Sequence, residues 1–210
     1  MDICVENICK HYGKQEVLKN VNAHFASGQI HGLIGRNGSG KTVLFRCIIG
    51  YTKPDTGEVR IGTKRVGIDM RYPDSLGLIL DTPGFLPQFT GQFNLELLMS
   101  IRGRPEKSHI QKVMCRVGLP DTGRKPVGKY SMGMRQRLGI AQAIMEDPHL
   151  LILDEPFNGL DSQGVADIHS LLKLLRSQGK TILITSHYVQ DIEALCDTVH
   201  EMQAGILQQI

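Results

Sequence analysis

Two stretches of this chain carry residues of the right type and spacing for phosphate chemistry. The first is Gly35-Arg36-Asn37-Gly38-Ser39-Gly40-Lys41-Thr42, which fits the spacing G-x-x-x-x-G-K-[ST]. Its glycines let successive backbone N–H groups turn inward toward phosphate oxygens, with no Cβ in the way. Lys41 suits the β- and γ-phosphates, and the Thr42 hydroxyl suits Mg²⁺. With Val43 the candidate nucleotide-binding run is Gly35 to Val43. The dinucleotide spacing G-x-G-x-x-G does not fit these glycines, which disfavours that type of cofactor site. The second stretch is Leu150-Leu151-Ile152-Leu153-Asp154-Glu155, an apolar run that ends in two carboxylates. Asp154 is placed to approach a metal shell. Glu155 is placed to polarise a water, a contribution of roughly 10²–10⁴-fold when a base is well positioned. His187 follows a third apolar run, Thr181–Thr185 and Ser186, and is a candidate for γ-phosphate contact.

These residues need elements that bring them to one edge. Ile30–Ile34 reads as a buried strand before the glycine loop, and the stretch after Gly40 reads as a helix ending near Gly50. The helix N-terminus adds partial positive charge to the loop. Leu150–Leu153 and Thr181–Thr185 read as further buried strands, and in a parallel sheet the carboxyl ends of such strands line the ligand crevice. Ile3–Val5 and Val17–Phe25 read as short strands, Pro54–Gly57 as a turn into a strand at Glu58–Gly62, and Leu76–Asp81 as another buried strand. Helical spacing at Phe93–Ile101 and Ile110–Val117 predicts a small helical insert, about residues 92–130. Later helices are predicted at Met134–Met145, Val165–Ser177 and Val189–Leu195, and the tail predicts a hairpin around Gly205. The expectation is one α/β domain over residues 1–210, with a mainly parallel core sheet and an N-terminal antiparallel β region.

Composition excludes other classes. The chain has 210 residues, 24 basic and 21 acidic, for a net charge of +3. That balance argues against a nucleic-acid surface. No apolar run approaches the roughly 18 residues of a membrane span. The first residues lack a basic and then apolar pattern, so no signal peptide is predicted. The five cysteines are scattered and read as reduced thiols. His11, His24, His31, His109, His149, His169 and His200 lack motif partners and read mostly as surface or strand-face residues.

Tyr130-Ser131-Met132-Gly133-Met134-Arg135-Gln136-Arg137 precedes the Asp154 strand. This order resembles the ATP-binding-cassette (ABC) ATPases, P-loop NTPases whose signature reads L-S-G-G-Q ahead of a Walker B strand. The resemblance covers essentially the whole chain. It implies that Tyr12 stacks on adenine, that Asn158–Asp161 is the D-loop, and that His187 is the switch histidine. It implies ATP as nucleotide, with Ser131, Gly133 and Met134 reaching it from a second nucleotide-binding domain in a homo- or heterodimer. Thr42, Asp154 and Asp81 would serve Mg²⁺, Asp81 standing where the family's Q-loop glutamine belongs. Met132 and Met134 replace the family's Gly and Gln.

An acidic residue at position 81, Pro83-Gly84-Phe85 and the Tyr130–Arg137 string resemble the subgroup that exports lantibiotics and bacitracin-type peptides. The function implied is ATP hydrolysis for export of peptide antibiotics, bacteriocins or related amphiphiles. Separate transmembrane permease subunits would hold the chain at the cytoplasmic face of the membrane, with Phe85, Leu86 and Phe89 as a docking surface. The alternative is a non-transport ABC ATPase, such as an iron–sulfur assembly subunit. A small nucleotide kinase would share the glycine loop but leaves Ser131–Arg137 and His187 without a role.

Overall fold

The computed structural model describes residues 1–80, 84–101, 103, 106–120 and 124–210. Five runs build the core sheet: β3 (Ile30–Ile34), β6 (Leu76–Ile79), β7 (Leu150–Leu153), β8 (Thr181–Thr185) and β9 (Thr198–Gln203). They lie parallel in the order β9-β3-β8-β7-β6, and β10 (Ile206–Gln209) adds an antiparallel edge beside β9. This is the doubly covered α/β architecture expected of an ABC ATPase. Its apolar strands are explained by burial on both faces, as parallel sheets require. Alternation sorts each strand between two cores. Leu150, Ile152 and Leu183 face one cluster with Leu33, Leu44 and Phe45; Leu151, Leu153, Ile182 and Ile184 face the other.

The first cluster is closed by a four-stranded antiparallel sheet in the order β2-β1-β4-β5. Its strands are β1 (Ile3–Tyr12), β2 (Gln15–Phe25), β4 (Thr56–Ile61) and the short β5 (Lys64–Arg65). Beneath it lies α1 (Lys41–Ile48). The second cluster is covered by α4 (Met132–Ile144), α5 (Ser162–Ser177) and α6 (Val189–Leu195). Two further helices, α2 (Gly91–Met99) and α3 (Lys107–Arg116), lie between β6 and α4 in sequence and pack into the same cluster through Leu95, Ile110, Val113 and Met114.

Capping sets the helix starts more than apolar spacing does. Ser131 accepts a hydrogen bond from Met134 N–H at 3.2 Å, so α4 begins at Met132, two residues before its periodic pattern. Asp161 accepts from Gly164 N–H at 2.8 Å, and α5 begins at Ser162 rather than Val165. Thr90 caps α2 by accepting from Phe93 N–H. The buried Asn94 side chain then fixes the preceding loop. It accepts from Leu86 N–H at 2.8 Å and donates to Leu86 O and Thr90 O. No sequence signal distinguishes the two-residue β5, which exists because it pairs with Arg60 and Ile61.

Two of the histidines read as strand-face residues are fully interior. His31 and His200 are 0% and 3% exposed and flank Phe25 edge-on, with ring centroids 5.3 and 5.1 Å from it. His31 donates from Nε2 to Ala26 O at 2.8 Å, and its Nδ1 accepts from the Thr198 hydroxyl at 2.7 Å. His200 Nδ1 is buried without a partner. Burial holds both imidazoles below their ordinary value, His200 at about 4. The folded state therefore favours neutral rings, while the unfolded chain takes up protons below about pH 6.5. Stability is full above that pH and is lost as pH falls toward 4. Between pH 7 and pH 5 the His200 share of that loss is on the order of 1–2 kcal/mol. Thermal melts over this range should show a falling midpoint, and His200→Leu should flatten the dependence.

Candidate functional site

The phosphate-type loop sits where β3 ends and α1 begins, at the point where the sheet order turns back on itself. β3 has β8 on one side and β9 on the other. Gly35 and Gly40 have φ of 149° and 116°, in the region that favours glycine. A Cβ on Gly35 would lie 2.3 Å from Met202 O, and one on Gly40 would lie 2.9 Å from Val17 O. The loop is thus pressed against β9 and the start of β2. Lys41 is 6% exposed, and its Nζ donates to Gly35 O at 2.6 Å and Arg36 O at 3.3 Å. Ser39 Oγ is buried and has no hydrogen-bond partner among the described residues, an orphaned donor inside the cradle. Beside the loop opens a cleft of about 750 Å³, lined by Gly35–Ser39, His187, Val189 and Glu201–Ala204.

Thr42, Asp154, Thr185, Glu155 and His187 form one hydrogen-bonded chain. Thr42 donates to Asp154 Oδ2 at 2.6 Å, and Thr185 donates to Asp154 Oδ1 at 2.5 Å. The Thr185 hydroxyl also accepts from Glu155 N–H at 2.8 Å. His187 donates from Nδ1 to Glu155 Oε2 at 2.8 Å, and its backbone N–H points at the same oxygen at 3.3 Å. Glu155 Oε1 is buried with no hydrogen-bond partner among the described residues. Glu155 itself has φ of 50°, left-handed for a residue with a side chain. The three strand ends predicted to share an edge do so, because β3, β8 and β7 are in register parallel pairs.

The remaining candidates lie elsewhere. Ser131, Gly133 and Met134 start α4, and none of them lines the cleft beside the glycine loop. Gly133 instead abuts the 155–161 segment, where a Cβ would fall 2.7 Å from Gly159 O. Tyr12 ends β1 at a hairpin tip and is 49% exposed, with Lys10 Nζ 5.7 Å from its ring centroid. Asn37, Gly38 and Val43 follow the loop and helix as their motif dictates. Asp81 lies outside the described residues. Of the apolar docking candidates, Phe85 packs against the core, while Leu86 and Phe89 are each 38% exposed. Phe89 stacks on Phe93 at 4.5 Å, and Leu97 continues the exposed stripe at four-residue spacing.

A second cleft of about 730 Å³ lies between the end of β6 and α4, lined by Tyr51, Leu78, Leu80, Leu98, Gln142 and Met145 among others. Two polar residues were not singled out in the sequence. Thr185 looked like the end of a β-rich run, and only its pairing with Asp154 reveals it. Gln136 donates from Nε2 to Glu155 O at 3.2 Å, and nothing within the 130–137 string marks it out for that contact.

Comparison with known proteins places this geometry. A family model described as ABC transporter matches residues 18–158. The bacitracin transport ATP-binding protein BcrA of Enterococcus faecalis is 44% identical over 205 residues, covering 96% of this chain. The chain spans 66% of the length of that relative. The lantibiotic transport ATP-binding protein SrtF of Streptococcus pyogenes is 34% identical over 202 residues, 96% of this chain and 86% of SrtF. Among solved structures, a dimeric bacterial ABC transporter cassette shares the fold at a TM-score of 0.88 and 24% identity, covering 98% of this chain and 96% of the cassette. No helix among the described residues is long and apolar enough to cross a membrane. The matched range spans both the glycine loop and the Asp154–Glu155 strand end, and the chain belongs to the ABC transporter ATP-binding family.

Proposed function

We propose that this chain binds and hydrolyses ATP as the nucleotide-binding subunit of an exporter for peptide antibiotics or related amphiphiles. The observation that carries the hydrolytic reading is the continuous chain Thr42–Asp154–Thr185–Glu155–His187 at the ends of β3, β7 and β8. Gly35 to Val43 wrap the phosphates, and the orphaned Ser39 hydroxyl gains an acceptor there. Lys41 exchanges its two loop carbonyls for phosphate oxygens, which are stronger partners for an ammonium group. Tyr12 offers its exposed ring to adenine. The hard oxygen donors of Thr42 and Asp154 suit Mg²⁺, whose charge would offset that of the β- and γ-phosphates; Asp81 remains the third candidate from the sequence.

Glu155 acts as base through Oε1, the oxygen that has no hydrogen-bond partner among the described residues. His187 occupies Oε2 through Nδ1, which orients the carboxylate and leaves Nε2 as the ring nitrogen that would meet the γ-phosphate, as a donor when the ring carries both protons. Ser131, Gly133 and Met134 lie away from the cleft of their own chain, so a second copy or a related domain must present them. The N-terminus of α4 would then meet the γ-phosphate with its partial positive charge. Membrane subunits dock beside β6 and α4, where the second cleft opens, with exposed Leu86 and Phe89 on the neighbouring loop. The names of BcrA and SrtF, bacitracin and lantibiotic transport proteins, support peptide antibiotics as cargo.

The purified chain, with and without its membrane subunits, provides the test. Lys41→Ala should abolish ATP turnover, and a normal rate in that variant would sink the site assignment. Glu155→Gln should bind ATP, turn over at least about 100-fold more slowly and elute as an ATP-dependent dimer. A monomer with ATP and unimpaired hydrolysis would remove Glu155 as base. Thr185→Val frees Asp154 and Glu155 from a shared hydroxyl. It should lower stability by about 1–3 kcal/mol and reduce kcat about 10-fold or more, measured by denaturant melts and phosphate release. Purification of the tagged chain from its native membrane separates the transport reading from the soluble one. Multi-spanning subunits should accompany it; soluble assembly partners alone would favour the non-transport reading.

A further inference from the structure

We infer that Gln136 is a positioning residue for Glu155, through which the signature segment of a chain sets the base of that same chain. This rests on the ATPase reading above. Glu155 holds a left-handed backbone, φ 50°, which a residue with a side chain keeps only when its surroundings impose it. Its peptide groups have three partners. Its N–H donates to Thr185 Oγ1 at 2.8 Å, and its carbonyl accepts from Asn158 N–H at 3.3 Å and Gln136 Nε2 at 3.2 Å.

Thr185 belongs to the rigid sheet, and Asn158 to the same turn as Glu155. Among the described residues, Gln136 is the one that reaches Glu155 from a separate helix. That helix, α4, starts at the Ser131 cap, five residues before Gln136 in the sequence. A second contact runs beside it. Gly133 lies so close to Gly159 O that a Cβ would sit 2.7 Å from it, and a Cβ on Gly159 would sit 2.6 Å from the Met132 side chain.

The start of α4 and the 155–159 turn therefore move together. A nucleotide held by a partner and seated on Ser131 pulls on α4, and Gln136 carries that shift to the Glu155 carbonyl. Gln is suited to the task. Its amide donates to a carbonyl without adding charge beside the base carboxylate. The two sites of a dimer would be coupled by this link inside each chain, with no contact between the two bases.

The test is steady-state ATP hydrolysis by the full chain, with fluorescent-nucleotide binding and thermal melts on each variant. Gln136→Met and Gln136→Glu keep the length of the side chain and remove the donor. Each should lower kcat by about 10- to 100-fold with KM for ATP within about twofold, and should bring the Hill coefficient for ATP toward 1. Where one variant does not fold, the other supplies the measurement. In a Glu155→Gln background, Gln136→Met should add no further loss, because the base it positions is already gone. Losses that simply add in that background would overturn the role. So would a Gln136→Met loss confined to KM and nucleotide affinity. Wild-type turnover that Lys41→Ala abolishes but Gln136→Met leaves intact overturns the positioning role alone. A wild-type chain with no turnover overturns the ATPase reading and this inference with it.

Discussion

Asp154 holds the site together because both of its oxygens are occupied by hydroxyls from different segments. Thr42 comes from the first turn of α1, and Thr185 from the last residue of β8. The start of α1 and the ends of β7 and β8 thereby meet on one part-buried carboxylate, through charge-assisted bonds that are stronger than neutral ones. The arrangement depends on register. A one-residue slip of β7 against β8 would turn Asp154 to the opposite face and send its apolar neighbours into the wrong cluster. The two hydrophobic cores therefore do more than stabilise the sheet. By burying both faces of β7 and β8 they fix which residues end each strand on the ligand side.

The Thr185 hydroxyl is the pivot of that arrangement, since it donates to Asp154 and accepts from Glu155 N–H. A hydroxyl is the smallest group able to do both, which explains a Thr at a fully buried position where Val would pack as well. The β-branched shape satisfies the strand, and the oxygen satisfies the site. With the Asp154–Glu155 peptide fixed in this way, the Glu155 side chain emerges toward His187 rather than continuing the strand direction. One Glu155 oxygen is bound to His187, and the other is buried with no hydrogen-bond partner among the described residues.

Much of this was legible in the residues themselves. Strand Ile30–Ile34, the glycine loop, the Leu150–Leu153 run and the C-terminal hairpin each announce their structure locally, by apolar runs, glycines or turn chemistry. What escaped is what depends on distant partners. Thr185 gains meaning only from Asp154, 31 residues away in sequence, and Gln136 only from Glu155, 19 residues away. His31 and His200 carry no periodic or motif signal, yet they enclose Phe25 from two strands. The helices capped by Ser131 and Asp161 start before their apolar spacing does, because the cap and the first residues of each helix carry no periodic apolar signal. Burial and long-range polar pairing are properties of the sheet order, and no local window contains them.

The separation of Ser131 from the glycine loop is a constraint as much as an observation. On the proposed reading, a chain whose γ-phosphate donors lie on two surfaces would not complete its site alone, and ATP would reward association by adding contacts that a monomer lacks. That logic works as a switch only if each half can sense the other. Gly133 permits a backbone approach to Gly159 O that any side chain would block, and Gly159 leaves room for the Met132 side chain, so the start of α4 packs directly on the turn after Glu155. Departure from the family's Gly and Gln at Met132 and Met134 keeps this contact, because Met132 lies against Gly159 and the essential small residue is Gly133. Substitution is tolerated where a flexible thioether can bend, and is barred where two backbones touch. The signature of this chain is therefore defined less by its letters than by the space between residues 133 and 159.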